Sequence, residues 1–332
     1  VALQAAGLTV ETYDEIAGEP SIETLELCRA AMRLGPFNLV IALGGGSALD
    51  TAKAAAALTR SAGPAAQFLG RNLIPQPGLP VIAVPTTAGT ASEVTPNAVF
   101  ADLAAGVKKA MMSPHLMPKV ALVDPELTYS VPPAITAATG MDALAHAIEA
   151  YVSPNATLLT QTHGIKAMEL IGANLRRAVA VGGDAPAREA MAWGSLLAGL
   201  SFANAGVGAV HALAYPLGGK YHVPHGVANA MLLARVMRFE APATPARFAA
   251  MARALGAEVR DASEEALAAA GVDAMQRLAA DAGIPQRLRD IGIPQDALDP
   301  MAIEASKIER LLLNSARMMS LDDIRAVYYD IW

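Results

Sequence analysis

Residues 38 to 43, NLVIAL, run without interruption into GGGSALDTAKAAAAL. An apolar run this short suits a strand buried on both faces of a parallel sheet, and the alanine-rich stretch after it suits a helix packed closely on that sheet. The glycines between them, Gly44, Gly45 and Gly46, let the chain turn sharply and bring its backbone close to a ligand. Ser47 and Asp50, three residues apart, read as a capping pair at the start of the helix, whose free amides make that end a seat for phosphate. The same turn without a ligand is also common. A strand, glycine turn and helix in this order commit the first part of the chain to an α/β fold.

The neighbouring segments repeat the rhythm. Residues 8 to 13 alternate like a strand, and residues 22 to 34 have helical periodicity that turns Cys28 inward as a buried, inert thiol. After a Pro/Gly-rich loop over residues 61 to 80, VIAV (81 to 84) reads as a second buried strand that runs into PTTAGTASEVTPNAV. Thr86, Thr87, Thr90, Ser92 and Thr95 gather hydroxyls at the C-terminal end of that strand, where open α/β sheets bind ligands. A polar loop satisfying its own backbone would use the same residues. Residues 97 to 102 and 120 to 124 read as further strands. Lys108 and Lys109 lie between them, placed either for a cofactor ribose or phosphate or for solvent.

From Val131-Pro132-Pro133 onward the period changes to that of helices, at residues 135 to 152, 161 to 180, 185 to 203, 227 to 238 and 244 to 255. The expected organisation is a Rossmann-like parallel-sheet domain over residues 1 to 131 and an all-α domain over residues 132 to 332, with the binding cleft between them. Ser320 is placed to cap a last amphipathic helix, and Trp332 to pack onto the bundle.

Within the helical part, GMDALAHAIEAY sets Asp142 and His146 four residues apart, one turn along one helix face. HALAYPLGGKYHVPHG then supplies His211 and His225 on either side of what reads as a Pro/Gly-rich turn. One carboxylate and three imidazoles suit Fe(II) or Zn(II) rather than Mg or Ca. The alternative is four separate residues with local partners.

Composition narrows the function classes. The chain is 53% hydrophobic with a net charge of −6, which offers no electrostatic footprint for nucleic acid or an acidic membrane surface. Apolar runs are broken before the roughly 18 residues a membrane span needs. The single cysteine cannot form an intrachain disulfide, so a cytoplasmic setting is expected. The first residues, VALQAAGLTVETYDEI, lack an initiator methionine and read as mid-domain, so a preceding segment is expected.

Together, GGGSALDTAK, PTTAGTASEVT, GMDALAHAIEAY and HALAYPLGGKYHVPHGVANA resemble the iron-containing (group III) alcohol dehydrogenases across essentially the whole chain. The resemblance implies the dehydroquinate synthase-like architecture, an NAD- or NADP-dependent and metal-activated oxidoreductase of alcohols and aldehydes or ketones, and a homodimer or larger homo-oligomer. Carried over, it puts Asp142, His146, His211 and His225 on the metal, and Gly45, Gly46, Ser47 and Asp50 on or just after the pyrophosphate loop. Thr86, Thr87 and Thr90 fall on a second cofactor loop, Lys108 near the nicotinamide ribose, and Asn97 and Phe202 near the substrate pocket. Four residues beyond His211, where many relatives carry a histidine of the proton path, this chain has Tyr215, which makes His222 the candidate relay. The acidic residue that separates NAD from NADP belongs to the family's absent N-terminal segment. Rival readings are a metal-free oxo-acid reductase of the maleylacetate type, a lyase of the dehydroquinate synthase type, and a non-catalytic metal- or nucleotide-binding scaffold.

Overall fold

The computed structural model describes residues 2 to 18, 20 to 102, 107 to 257 and 261 to 332. After a short helix α1 (Ala2–Ala5), helix α2 (Ile22–Arg33) begins where Ser21 accepts a hydrogen bond from Thr24 N, and it buries Leu25 and Cys28. Burial pushes the Cys28 thiol up to about 11, so it is inert. Strand β1 (Val40–Gly44) then feeds helix α3 (Gly46–Leu58), whose run of small side chains is almost wholly buried.

Two small sheets follow, where one had been expected. Strands β1, β3 (Val81–Pro85) and β6 (Val120–Ala121) form a parallel sheet in the order β1-β3-β6, with Val40 opposite Val81 and Ile82 opposite Val120. Strands β2 (Gly70–Arg71), β4 (Asn97–Asp102) and β5 (Val107–Met112) form a second, mixed sheet in the order β2-β5-β4. Residues 97 to 102 thus pair antiparallel with a strand that carries Lys108 and Lys109, a stretch read from the sequence as a link. The strand expected at 120 to 124 stops at Ala121, with only Leu122 N still bonded to Ala83 O before Asp124 and Pro125 open a 3₁₀ turn. Residues 8 to 13 form no strand. Their side chains are mostly exposed, and the one pairing nearby is the isolated bridge of Ser21 with Ala101.

Helices build the rest: α4 (Pro133–Val152), α5 (Leu158–Ala180), α6 (Ala185–Ala205), α7 (Ala209–Tyr221), α8 (His225–Glu240), α9 (Pro245–Ala254), α10 (Glu264–Asp281), α11 (Leu298–Ser306), α12 (Glu309–Leu312) and α13 (Leu321–Asp330). Buried over almost all of its length beyond the first turn, α4 is the central helix. Gly140 lets it approach α5 and α6, since a Cβ there would fall 2.4 Å from Leu175 and 2.8 Å from Met191. Ser320 caps α13 through a capping box, and Trp332 Nε1 donates to Ile293 O at 3.0 Å.

The stretch read as a turn between His211 and His225 is mostly helix. α7 leaves α6 at 103° across residues 206 to 208, where Gly206 takes a positive φ of +80°. Asn314 pins that bend by donating to Ala205 O and Val207 O, each at 3.0 Å. Pro216 and Gly218 sit inside α7, and both are buried. Apolar packing thus holds in helical form a segment that local propensity disfavours. Only residues 222 to 224 remain as the link, opened by His222 in the left-handed conformation. Among the described residues no single helix is long and apolar enough to cross a membrane.

Candidate metal centre

Three helices meet at one buried point. α4 contributes Asp142 and His146, α7 contributes His211 from its first turn, and α8 contributes His225 as its first residue. One donor atom from each lies within 4.8 Å of the others. Asp142 Oδ1 is 3.9 Å from His146 Nε2 and 3.8 Å from His225 Nε2. The rings of His146 and His211 stack at 4.9 Å, and those of His211 and His225 meet edge-on at 5.2 Å. Position comes from close helix packing: a Cβ on Gly226 would fall 2.2 Å from Ala138 O, so α8 begins directly against α4 and sets His225 beside Asp142.

Asp142, His146 and His211 are buried, whereas about a third of the His225 side chain (34%) is exposed, which marks the open side of the site. Burial disfavours the charged imidazoles, bringing His211 down to about 4 and His225 to about 3, and it lowers His146 as well. Burial works against the Asp142 carboxylate, but the surrounding histidines and the Asn229 amide more than offset it and take Asp142 down to about 2. At neutral pH the cluster is therefore one carboxylate with three neutral imidazoles.

Two further residues complete the site, and neither was singled out in the sequence. Asn229, one turn after His225, is fully buried; its Nδ2 is 2.7 Å from Asp142 Oδ1 and 3.2 Å from both His211 Nε2 and His225 Nε2. Two amide hydrogens thus serve three neighbouring atoms, while among the described residues Asn229 Oδ1 has no partner. With the His211 and His225 Nε2 atoms unprotonated, buried lone pairs outnumber the hydrogens available to them, a balance that a divalent cation corrects. Glu149, on the Asp142 and His146 face of α4, bonds His211 Nδ1 through Oε2 and accepts from Val210 N through Oε1 at 2.7 Å. Burial pushes its carboxyl up to about 8, against backbone amides that pull it down.

The glycine and threonine loops stand next to this cluster and touch each other. A Cβ on Gly46 would fall 2.6 Å from Thr90 Cγ2, one on Gly45 would fall 3.5 Å from Thr87 Cγ2, and Thr86 N donates to Gly44 O. Gly89 of the threonine loop packs on Thr139 of α4, three residues before Asp142. Gly45 caps α3 with no side-chain bond, so the expected Ser47 and Asp50 capping pair does not form. Asp50 instead accepts from Ser92 Oγ at 2.5 Å and from Val99 N at 2.9 Å, bracing the threonine loop. Buried Lys53 supports it from below by donating to Ser92 O and Thr95 O.

The remaining candidates lie on β4, β5, α6, α7 and the link that follows α7. Lys108 on β5 reaches α7, with its Nζ 2.9 Å from where a Cβ on Gly218 would lie, and its charge helps depress His225. Phe202 of α6 stacks on His146 at 4.3 Å. Asn97 is half-buried at the start of β4, where its carbonyl receives Lys53 Nζ. Exposed His222 forms no side-chain hydrogen bond or ion pair among the described residues. Tyr215 is partly buried, and burial raises its phenol above the ordinary value.

Residues 1–125 match the family described as iron-containing alcohol dehydrogenase, and residues 136–332 match the C-terminal domain of the Fe-containing alcohol dehydrogenase family. The chain belongs to the iron-containing alcohol dehydrogenases. Like the others of that family it is an oxidoreductase acting on CH–OH groups. Among the relatives of this iron-containing alcohol dehydrogenase, long-chain-alcohol dehydrogenase 1 of Geobacillus thermodenitrificans is 46% identical over 329 residues, 98% of this chain and 83% of that one. The crystal structure of a 1,3-propanediol oxidoreductase superposes with a TM-score of 0.96 at 39% identity, over 99% of this chain and 86% of that one. A sulfoacetaldehyde reductase from Bifidobacterium kashiwanohense, solved in complex with NAD+, superposes with a TM-score of 0.90 at 32% identity, over 99% of this chain and 85% of that one.

Proposed function

We propose that this chain interconverts a small alcohol and its aldehyde or ketone with a nicotinamide dinucleotide, at a divalent ion held by Asp142, His146, His211 and His225. The observation that carries the reading is the convergence of those four donors within 4.8 Å, beside the threonine loop docked on α4. The donor set suits Fe(II), with Zn(II) as the other candidate. Bound there, the ion would polarise a carbonyl or lower the pKa of an alcohol.

The protein's own part is placement. The Gly45, Gly46 and Ser47 turn, at the amide-rich start of α3, would hold the pyrophosphate, with Thr86, Thr87 and Thr90 on the loop that touches it. Asp50 would act on the dinucleotide through the loop it braces, and Lys108 would meet the nicotinamide ribose. Phe202, stacked on His146, gives the substrate an apolar wall, with Asn97 as a polar group near the pocket. The bound dinucleotide would take up or supply the hydride, and the open, His225 side of the site would give the alcohol proton its way to solvent. His222 is the candidate relay, since the raised phenol of Tyr215 keeps its proton at neutral pH. An unchanged turnover and pH profile in His222→Gln removes it from that path.

The dinucleotide is proposed as NAD(H), on the strength of the NAD+ held by the sulfoacetaldehyde reductase, with NADP(H) as the comparison. The relatives above are named for long-chain alcohols, a three-carbon diol and sulfoacetaldehyde, so the substrate class is proposed as alcohols and aldehydes, with charge and chain length left to the substrate panel. We place the enzyme in the cytoplasm, in keeping with its lone buried thiol, and as a homo-oligomer. Self-association is supported by exposed apolar side chains on and beside the parallel sheet, Leu39, Ile41, Leu43, Val120 and Leu122, and light scattering tests it.

The experiment is reconstitution with Fe(II) or Zn(II), followed by assay of alcohols, aldehydes, hydroxy acids and oxo-acids with NAD(H) and NADP(H). His211→Ala should lose bound metal and nearly all turnover yet still bind dinucleotide. Full activity in metal-free protein refutes the reading and favours the metal-free oxo-acid reductase.

A further inference from the structure

Every metal-bound imidazole has a second nitrogen, and whatever that nitrogen bonds fixes the tautomer and the plane of the ring. His211 presents Nε2 to the cluster, within 3.2 Å of Asn229 Nδ2, and turns Nδ1 away to Glu149 Oε2. Glu149 follows Asp142 by seven residues and His146 by three, so the face of α4 that offers two candidate ligands also carries the partner of a third. Its other oxygen accepts from Val210 N at 2.7 Å, and the Gly208 and His211 backbones also donate to the carboxylate. These are amides at the start of α7, whose N-cap Gly208 has no side chain to do the work. Glu149 is 2% exposed, which shields these bonds from bulk solvent.

We propose that Glu149 is the positioning residue of the metal centre: one carboxylate caps α7 from outside and holds His211 in the tautomer that turns a bare Nε2 to the ion. The assignment rests on the metal reading above. With Nε2 given to the ion, the one ring proton is left to Nδ1, where Glu149 Oε2 accepts it. The opposite tautomer would aim an N–H into the cluster and leave Glu149 Oε2 without the Nδ1 proton. Because the same carboxylate fixes the first turn of α7, ring plane and backbone are set together.

The test compares wild type, Glu149→Gln and Glu240→Gln, the last a buried acid that does not touch His211. Zn(II) and Co(II) affinities are measured by chelator competition, with the visible Co(II) spectrum and the unfolding temperature of the metal-free proteins. Glu149→Gln should bind Zn(II) about 10- to 100-fold more weakly and shift the Co(II) bands, while its metal-free form unfolds no earlier than wild type. Glu240→Gln should match wild type in affinity. Should Glu149→Gln fail to fold, Glu149→Asp keeps the charge but shortens the reach, and it should weaken Zn(II) by at least about tenfold. Affinity within about threefold of wild type in the Glu149 variant, or an equal loss in Glu240→Gln, overturns the assignment. Absence of Zn(II) or Co(II) uptake by wild type sinks the metal reading and this assignment with it, whereas equal uptake by wild type and variant sinks this assignment alone.

Discussion

At the scale of single residues, the buried acids divide by what surrounds them. Glu149 has backbone amides and an imidazole, whereas among the described residues Glu240 accepts from Ala316 N, has Ser315 beside it and leaves Oε1 without a partner. Burial, and then the charge of Glu149, pushes Glu240 up to about 8 from an ordinary value of 4.5. Between those values the folded chain keeps a proton that the unfolded chain has released, so folding takes up a proton and stability falls as pH rises. The contribution is intact below about 4.5 and is lost as pH passes through about 8. Glu240→Gln removes the titration: in metal-free protein its stability should equal wild type near pH 5 and exceed it by more than about 1 kcal/mol at pH 8.5. Urea midpoints at the two pH values measure this, and a gap that does not change with pH disproves it. The four candidate ligands were legible in the sequence because histidines are few and the i, i+4 spacing of Asp142 and His146 needs no tertiary knowledge. Glu149 and Asn229 obey the same helical arithmetic. They stayed hidden because a glutamate or asparagine on a helix faces water by default, and only the crossing of α4, α7 and α8 puts these two inside.

Among elements, the strand, glycine turn and helix around residues 40 to 58 were readable because local pattern and burial agree there. α7 was not, since Pro216, Gly218 and Gly219 argue for a turn and only packing against the helical core decides otherwise. The second sheet escaped for a related reason: β5 carries two lysines, and its pairing with β4 is a tertiary fact. The crossing of α4 and α8 gives the sharpest element-level prediction. Gly226→Ala would put its Cβ 2.2 Å from the Ala138 carbonyl, a backbone atom that cannot swing aside. α8 must then lift away from α4 and carry His225 with it. The variant should lose about 1 to 3 kcal/mol in denaturant titrations and bind metal more weakly. Gly183→Ala, which meets nothing within 4 Å, is the control and should be near neutral. Equal behaviour of the two variants would show that the crossing tolerates what its geometry forbids.

For the molecule as a whole, apolar burial falls into separate cores. One cluster draws on α4 through the C-terminus, from Ala137 to Ile331, and the others lie between Leu25 and Leu116. All four candidate ligands sit among helices of the first cluster, so an ion joining α4, α7 and α8 cross-links one core and leaves the others untied. A ligand that binds only the folded state stabilises it by about 2.7 kcal/mol at a hundred times its dissociation constant. That stabilisation should be unevenly spread, because local opening of α2 or α3 need not break the site. Hydrogen exchange with and without Zn(II) should therefore slow in α4, α7 and the first turns of α8, while α2 and the parallel sheet stay as they were. Dinucleotide should do the reverse, protecting the start of α3 and residues 85 to 95, and extend to α4 only through the Gly89 and Thr139 contact. If the ion slowed exchange equally in both parts, they would open as one unit, and the separate cores would have no energetic independence.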